Sequence, residues 1–341
     1  MITIKEMADL AGVSPTTVSN VLHGRTRKMS KETLEKVQNV IRDSNYVSNM
    51  GARLLANHGS RIIGVVLGYD HRDQINIIQD PFTGELIGAL EHEISRQGYF
   101  MMLYRNPNVE KCLQMAMAWN IEGLVMIGFT EETYYAFRER LSIPIVTIDH
   151  YFQKKALDFR NVGLQDYEGG YSMGQYLISQ GHRRICFCGN WIPMDSIDEQ
   201  RYQGFLKAVE NAGVEKKEIL RMDLSTDTDL RMQMMARFAE KKFDGCTALF
   251  FTSDYIAIEA INLFYDMGIR VPDDISVAGF DDILSAKQIR PQLTTIHQNV
   301  SDKAKWAVCQ VIRMCKGDIL GCEDIRLPVE LVIRGTVKKI R

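Results

Sequence analysis

The tightest constraint on this chain lies in its first 23 residues, where two helix starts leave room only for a short turn between them. Thr3-Ile4-Lys5-Glu6 is a capping box: the threonine hydroxyl can accept from the Glu6 backbone N–H, and the Glu6 carboxylate can reach back. Ile4, Met7, Ala8 and Ala11 follow at helical spacing, and Gly12 ends the helix. Ser14 then caps a second helix with Pro15 at its first position, where the missing N–H costs nothing. Two short helices so joined form a helix-turn-helix, whose second helix lies in the DNA major groove. Val18, Val21 and Leu22 face inward, which leaves Thr16, Thr17, Ser19, Asn20 and His23 able to reach DNA. A helical hairpin in an unrelated small domain is the competing reading.

Ser30 caps a third helix with Leu34, Val37 and Ile41 as its apolar stripe, completing a three-helix core. Arg25, Arg27, Lys28 and Lys31 are candidates for phosphate contacts, which set affinity and register rather than sequence choice; a solvated basic loop is the alternative. Charge supports the first reading. Residues 1–61 hold nine Lys/Arg against five Asp/Glu, a balance of +4, so a chain of net charge −2 carries −6 in its remainder. A basic head on an acidic body suits a nucleic-acid contact at one end. Ser48 to Asn57 has a helical look but is shorter than the roughly 12–15 residues at which an isolated helix becomes marginal. Gly51 costs it about another 1 kcal/mol relative to alanine. Such a piece can fold upon a partner, with one of its two adjacent leucines wedged between base steps in the minor groove; a plain amphipathic linker competes evenly.

From Arg61 onward, strand-length apolar runs alternate with helices. The runs are Ile62–Leu67, Tyr99–Leu103, Leu124–Ile127 and Ile145–Ile148, then Ile185–Cys188, Ala248–Phe251 and Ser276–Ala278. Helical stretches, among them Phe82–Gln97, Gly170–Gln180 and Gln200–Ala212, separate them. Two successive sets of this alternation predict an α/β core of two doubly wound parallel-sheet subdomains, with a ligand at the carboxyl ends of the strands in the cleft between them. No apolar run is long enough to span a bilayer, and the N-terminus lacks a signal peptide's apolar stretch, so a cytoplasmic protein without membrane contact is expected. The seven scattered cysteines include no Cys-x-x-Cys and read as buried thiols; neither a metal nor a cofactor is expected.

Taken together, these stretches resemble the LacI/GalR family of bacterial transcription repressors over the whole chain. The likeness is carried by Thr3–His23 (TIKEMADLAGVSPTTVSNVLH), Ser30–Tyr46, Arg53–Ala56, Gly84–Gly98, Gly169–Arg184, Arg201–Phe205 (RYQGF) and Val271–Asp281 (VPDDISVAGFD). The resemblance implies a helix-turn-helix headpiece over 1–47, a hinge helix over 48–60 and a periplasmic-binding-protein-like core over 61–341. It implies crossings near Thr295 and Cys322, so that subdomain one comprises 61–161 plus 295–322 and subdomain two 162–294 plus 323–341. It also implies a homodimer on near-palindromic double-stranded operator DNA, with dimer surfaces on Phe82–Gln97 and around Ile283–Ile289, regulated by a small-molecule effector.

Residue by residue, Pro15, Thr16 and Asn20 fall where the family's recognition helix reads base edges, and asparagine there bonds adenine best. Leu55 matches the family's minor-groove leucine. With Thr3, Ser14, Thr17, Ser19, His23, Arg25, Ser30, Tyr46, Asn49 and Arg53, these make up the expected DNA-contacting set. Phe82, Asp149, His150, Arg201, Ser253 and Asp281 match the effector-pocket positions, for which a sugar or sugar phosphate is the default ligand. Carboxylates and an arginine at converging strand ends suit hydroxyls, and an aromatic covers an apolar face. For any one of them, a helix cap or surface ion pair is the alternative. An enzyme and a periplasmic solute-capture protein are the rival classes for the core fold. The sequence offers no phosphate-binding Gly-x-x-x-x-Gly-Lys loop, no Gly-x-Ser-x-Gly elbow and no His-Glu-x-x-His for the first, and no export signal for the second.

Overall fold

A computed structural model describes residues 2–22, 25–27, 29–44, 59–68, 77–106, 108–152, 159–190, 197–319, 321 and 323–340. The chain divides into two compact units, Met1–Ser60 and Arg61–Arg341. In the first, helices α1 (Ile4–Ala11), α2 (Pro15–Leu22) and α3 (Lys31–Asp43) close on Met7, Ala8, Ala11, Val18 and Val37, with Val21, Leu22 and Ile41 packed against them. The caps form as the sequence requires. Thr3 Oγ1 accepts from the Glu6 N–H at 3.2 Å while the Thr3 N–H donates to Glu6 Oε2 at 2.7 Å. Gly12 takes the left-handed conformation at φ 65°. Ser14 and Ser30 each accept a backbone N–H three residues on.

The second unit is built on two parallel sheets. The first sheet contains β1 (Ile62–Leu67), β2 (Phe100–Arg105), β3 (Gly123–Ile127), β4 (Ile145–Ile148), β5 (Arg160–Leu164) and β11 (Glu323–Leu327), in the order β11-β5-β4-β3-β1-β2. The second contains β6 (Ile185–Gly189), β7 (Ile219–Asp223), β8 (Ala248–Phe251) and β9 (Ser276–Ala278), in the order β7-β6-β8-β9. Side-chain alternation lets each strand serve two cores. Ile63, Val65 and Leu67 face α4 (Pro81–Arg96) and α12 (Val300–Cys315), whereas Ile62 and Val66 face α5 (Val109–Ala118) and α6 (Glu131–Arg140). In the second sheet Phe187 and Phe250 face α7 (Asp166–Ser179) and α8 (Ile197–Asn211). Cys186, Cys188 and Phe251 face α9 (Thr228–Glu240) and α10 (Asp254–Asp266). Of the described cysteines, Cys309 is exposed and Cys315 half-buried, so the expectation of buried thiols holds only for Cys112, Cys186, Cys188 and Cys246.

The subdomain boundaries differ from the expected ones. Strand β5 still belongs to the first sheet, so the first crossing follows Leu164 rather than 161. Residues 323–327 do not start the second subdomain: β11 pairs parallel with β5 along its whole length, from Glu323 opposite Arg160 to Leu327 opposite Leu164. The return comes at β12 (Val329–Val332), which runs antiparallel to β10 (Thr295–Gln298). Cys322, the expected crossing point, lies outside the described residues.

Helices α7 and α8 cross backbone against backbone. A Cβ at Gly170 would overlap the Arg201 carbonyl, and one at Gly204 would overlap the Tyr167 carbonyl. Helix propensity alone favours Gly204→Ala by about 1 kcal/mol. Overpacking at this crossing outweighs it, and the variant is expected to lose about 1–3 kcal/mol in urea unfolding. A stabilised variant would show that the two helices can part freely.

Candidate functional site

In the headpiece unit, Thr3, Ser14, Pro15, Thr16, Arg25 and Ser30 are exposed, and Thr17, Ser19 and Asn20 half-exposed. Helix α2 therefore turns Thr16, Thr17, Ser19 and Asn20 away from the Val18 core. Ser14 and Ser30 are engaged as caps, and Thr17 and Thr33 hydroxyls bond back to them. His23, Lys28, Tyr46, Asn49, Arg53 and Leu55 lie outside the described residues.

In the core unit, the loops after β4 and β9 and the second turn of α8 bring charged side chains into one buried cluster between the two sheets. Asp149, just past β4, accepts from Lys303 Nζ of α12 at 2.6 Å. The same ammonium donates to Gln298 Oε1 at 2.7 Å, and Gln298 Nε2 donates to Asp281 Oδ1 at 2.7 Å. One bonded chain thus runs from the first subdomain through the crossing strand β10 to the end of the second sheet. Arg201 donates through Nε to Asp166 Oδ1 at 2.8 Å and through Nη1 to the Thr252 carbonyl at 2.5 Å, and its Cζ lies over Phe280, 3.4 Å from the ring centroid. The Tyr151 hydroxyl donates to the other Asp166 oxygen. Phe82, in the first turn of α4, faces the Lys303 ammonium at 5.1 Å and lines a cavity of about 220 Å³ with Asp281, Lys287, His297 and Gln298. Asp149, Asp281 and Asp282 all adopt positive φ at these strand ends (58°, 121° and 61°), a strain that concentrates at functional sites.

Burial governs the electrostatics. It raises the Asp149 carboxyl, with Lys303 pulling the other way. Burial likewise pushes Asp281 up to about 7, against the attraction of Arg201 and the Gln298 hydrogen bond. Asp198 and Asp254 are raised by the same cause. Each still has donors: Asp198 the Asn190 N–H and Thr252 hydroxyl, Asp254 the Thr295 hydroxyl and Ile283 N–H.

Two expected pocket residues stand apart. His150 is buried in the first subdomain, with Nε2 accepting from the Phe129 N–H at 3.1 Å and Nδ1 2.7 Å from the Ile148 carbonyl; burial pushes its pKa down to about 4. With both ring nitrogens spent on backbone, it acts as a neutral structural group. Ser253 caps α10 by accepting from the Tyr255 N–H at 3.2 Å. Arg201 sits one turn inside its helix, because α8 starts at Ile197.

Residues 3–49 match the family of bacterial regulatory proteins of the lacI type, and residues 175–337 match a periplasmic binding protein-like domain. The HTH-type transcriptional repressor PurR of Mannheimia succiniciproducens is 32% identical over 346 residues, covering 100% of both chains. The chain belongs to the LacI/GalR family. A second member, the PurR repressor of Erwinia tasmaniensis, is 33% identical over 307 residues, 87% of this chain and 86% of its own. Among solved structures, the lac repressor dimer bound to operator and the anti-inducer ONPF superposes with a TM-score of 0.83 at 22% identity, covering 99% of each chain. The regulator CelR in complex with cellobiose gives 0.71 at 22%, covering 98% of this chain and 100% of that one. A LacI family regulator from Enterococcus faecium with bound ribose gives 0.71 at 21%, covering 82% and 100%.

As a member of the LacI/GalR family this chain is a DNA-binding repressor with an effector-binding core, and not an enzyme. Its cleft contains partners that sequence reasoning missed: Tyr151, Asp166, Gln298 and Lys303. A lysine four residues into an amphipathic helix reads as a surface cation, and nothing local marks it as the partner of a residue 154 positions away. Among the described residues no three His, Cys, Asp or Glu side chains form a metal-binding group, and no helix is long and apolar enough to cross a membrane.

Proposed function

We propose that the protein binds a near-palindromic operator as a cytoplasmic homodimer, and that a small polyhydroxyl effector in the core cleft alters its grip on DNA. The observation that carries the effector half is the bonded chain Asp149–Lys303–Gln298–Asp281, which ties both subdomains and a crossing strand to one cluster. A ligand that rearranges it acts on the relative position of the subdomains, a two-state coupling between distant sites. Solved neighbours holding cellobiose and ribose support a sugar. A nucleobase is the second reading, favoured by the flat Phe82 face beside the cavity. Phe82, Asp149, Arg201 and Asp281 are the pocket residues this reading retains.

For the DNA half, Pro15, Thr16, Thr17, Ser19 and Asn20 meet base edges, and Asn20 favours adenine. Thr3, Ser14, His23, Arg25, Ser30, Tyr46, Asn49 and Arg53 hold the backbone or set register, and Leu55 is the minor-groove wedge. Leu284, 68% exposed in helix α11 (Leu284–Gln288), and the α4 face serve the dimer contact, a reading supported by the operator-bound lac repressor dimer. Retardation of promoter DNA from beside the gene, titrated with salt and sugars, tests the whole. Leu55→Ala is expected to weaken specific binding at least tenfold while the far-ultraviolet circular dichroism and melting of the core stay unchanged. Unaltered operator binding by that variant would refute the wedge. Equal, salt-fragile binding to random and cognate DNA would refute the regulator's specificity.

A further inference from the structure

Three basic side chains converge on one buried carboxylate at the edge of the cleft, and one of them suffices to neutralise it. Asp282, its side chain 5% exposed, accepts at Oδ1 from Arg334 Nη2, and Arg334 is itself largely buried. The other oxygen, Oδ2, meets Lys287 Nζ at 3.3 Å and His297 Nδ1 at 3.1 Å, both on half-exposed side chains. The buried guanidinium is the close counter-ion of Asp282. The half-exposed contact with Lys287 is screened by water and is easily rearranged. Among the described residues the Lys287 ammonium has no other partner, and His297 Nε2 has none. Both side chains line the cavity of about 220 Å³. Its walls come from both subdomains and the strand between them: Phe82 and Glu85 from α4, Leu284 and Lys287 from α11, His297 and Gln298 from β10.

From this we propose that the cavity is an oxyanion subsite, in which Lys287 and His297 hold the phosphate group of a small phosphate monoester while Asp282 orients both donors. An ammonium keeps two N–H bonds beyond the one aimed at Asp282, and a protonated imidazole donates through Nε2 as well as Nδ1. A phosphate monoester brings close to two negative charges at pH 7 and three acceptor oxygens, enough for donors on two separate elements; a carboxylate brings one charge and two oxygens. Drawing Lys287 toward the ligand leaves no carboxylate unpaired, because Arg334 stays on Asp282. Of the other acids on the wall, Asp281 is held at about 7 by burial and so is partly uncharged at neutral pH, and Glu85 is exposed at the rim, where salt and water screen it. At about 30 Å³ per water the cavity has room for about seven waters, the size of a phosphate on a short carbon chain. The binding itself does not depend on the proposed effector role of the core, but its regulatory consequence rests on that reading: a ligand walled by both subdomains favours one of their relative positions.

Calorimetric titration of the full chain at fixed ionic strength tests this, with glycerol 3-phosphate and ribose 5-phosphate set against glycerol and ribose, and inorganic phosphate as the bare group. Each ester is expected to bind at least tenfold more tightly than its alcohol, and inorganic phosphate to compete with it. Lys287→Met is expected to weaken the esters at least tenfold and His297→Leu at least threefold, with the melting of the core unchanged since both positions are half-exposed. Glu85→Gln is expected to bind them as tightly as the wild type or more so. Three results overturn the proposal. One is that no ester binds. Another is ester binding that survives both Lys287→Met and His297→Leu, which assigns it to another basic surface such as the headpiece. The third is loss of binding in Glu85→Gln, which assigns the cavity to a cationic group. Operator retention, measured alongside, separates this from the effector reading. Esters that bind as expected and leave operator retention unchanged keep the subsite and sink regulation through the cleft. A free sugar that alters operator retention while no ester binds sinks the subsite alone.

Discussion

Replacing Arg201 with alanine is expected to lower the unfolding free energy of the core by about 3–5 kcal/mol, the range for breaking a buried ion pair by removing one partner. Asp166 is fully buried, and without the guanidinium it keeps, among the described residues, the Tyr151 hydroxyl alone as a side-chain donor. The Thr252 carbonyl loses its donor as well, and the face of Phe280 loses the flat group that covers it. Because the pair sits where α7 and α8 touch through Gly170 and Gly204, the backbone has little freedom to collapse into the vacated volume. The result is read in urea unfolding of the full chain followed by circular dichroism. The double variant Arg201→Leu with Asp166→Leu is expected to cost clearly less than the sum of the two single changes, since neither charge is then left alone. A loss below about 1 kcal/mol for Arg201→Ala would mean that water reaches Asp166 and that the cleft is not dry.

What could be read from the sequence and what could not follow from the range of the interactions concerned. The headpiece was legible because its determinants are three residues apart: Thr3 with Glu6, Ser14 with Thr17, Ser30 with Thr33. Strands β1, β3 and β4 announce themselves as apolar runs buried on both faces. Strand β5 does not, because it begins Arg160-Asn161, two buried polar residues whose partners lie far along the chain. Arg160 pairs with Glu323 and Asn161 donates to Asp324, each 163 positions away. The same pairing keeps residues 323–327 in the first sheet and moves the last crossing to β12. Strand β7 was missed for the opposite reason: as a half-exposed edge strand it carries Arg221 and Asp223 among its apolar residues. In the cleft, Asp149, Arg201 and Asp281 were legible as charged residues at strand ends or in a family motif. Lys303 and Gln298 were not, since their roles exist only once α12 and β10 are folded against β4.

Asp281→Asn is expected to change how stability depends on pH. An aspartate in the unfolded chain titrates near 4, whereas burial holds Asp281 at about 7 in the fold. Between those values the folded protein keeps a proton that the unfolded chain has released, so unfolding liberates it and stability falls as pH rises. The contribution is fully present below about pH 4 and lost above about pH 7. Three pH units amount to about 4 kcal/mol, of which at least about 2 kcal/mol falls between pH 5 and pH 8. Asparagine copies the neutral acid: its carbonyl oxygen can still accept from Gln298 Nε2, and it does not ionise. Measured against the wild type, the variant should therefore gain at least about 2 kcal/mol on going from pH 5 to pH 8. His150 works in the opposite direction: burial holds it near 4, so its contribution is lost as pH falls below its ordinary value near 6.5. That loss is common to both proteins and cancels in the difference. Arg201, Gln298, Asp80 and Lys303, which also act on Asp281, are unchanged, but Asp254 is raised in part by Asp281 itself, so the slope of the difference reports the Asp281–Asp254 pair. Two parallel stability curves would place the folded pKa of Asp281 near 4. The cleft would then be wet at its second-subdomain wall.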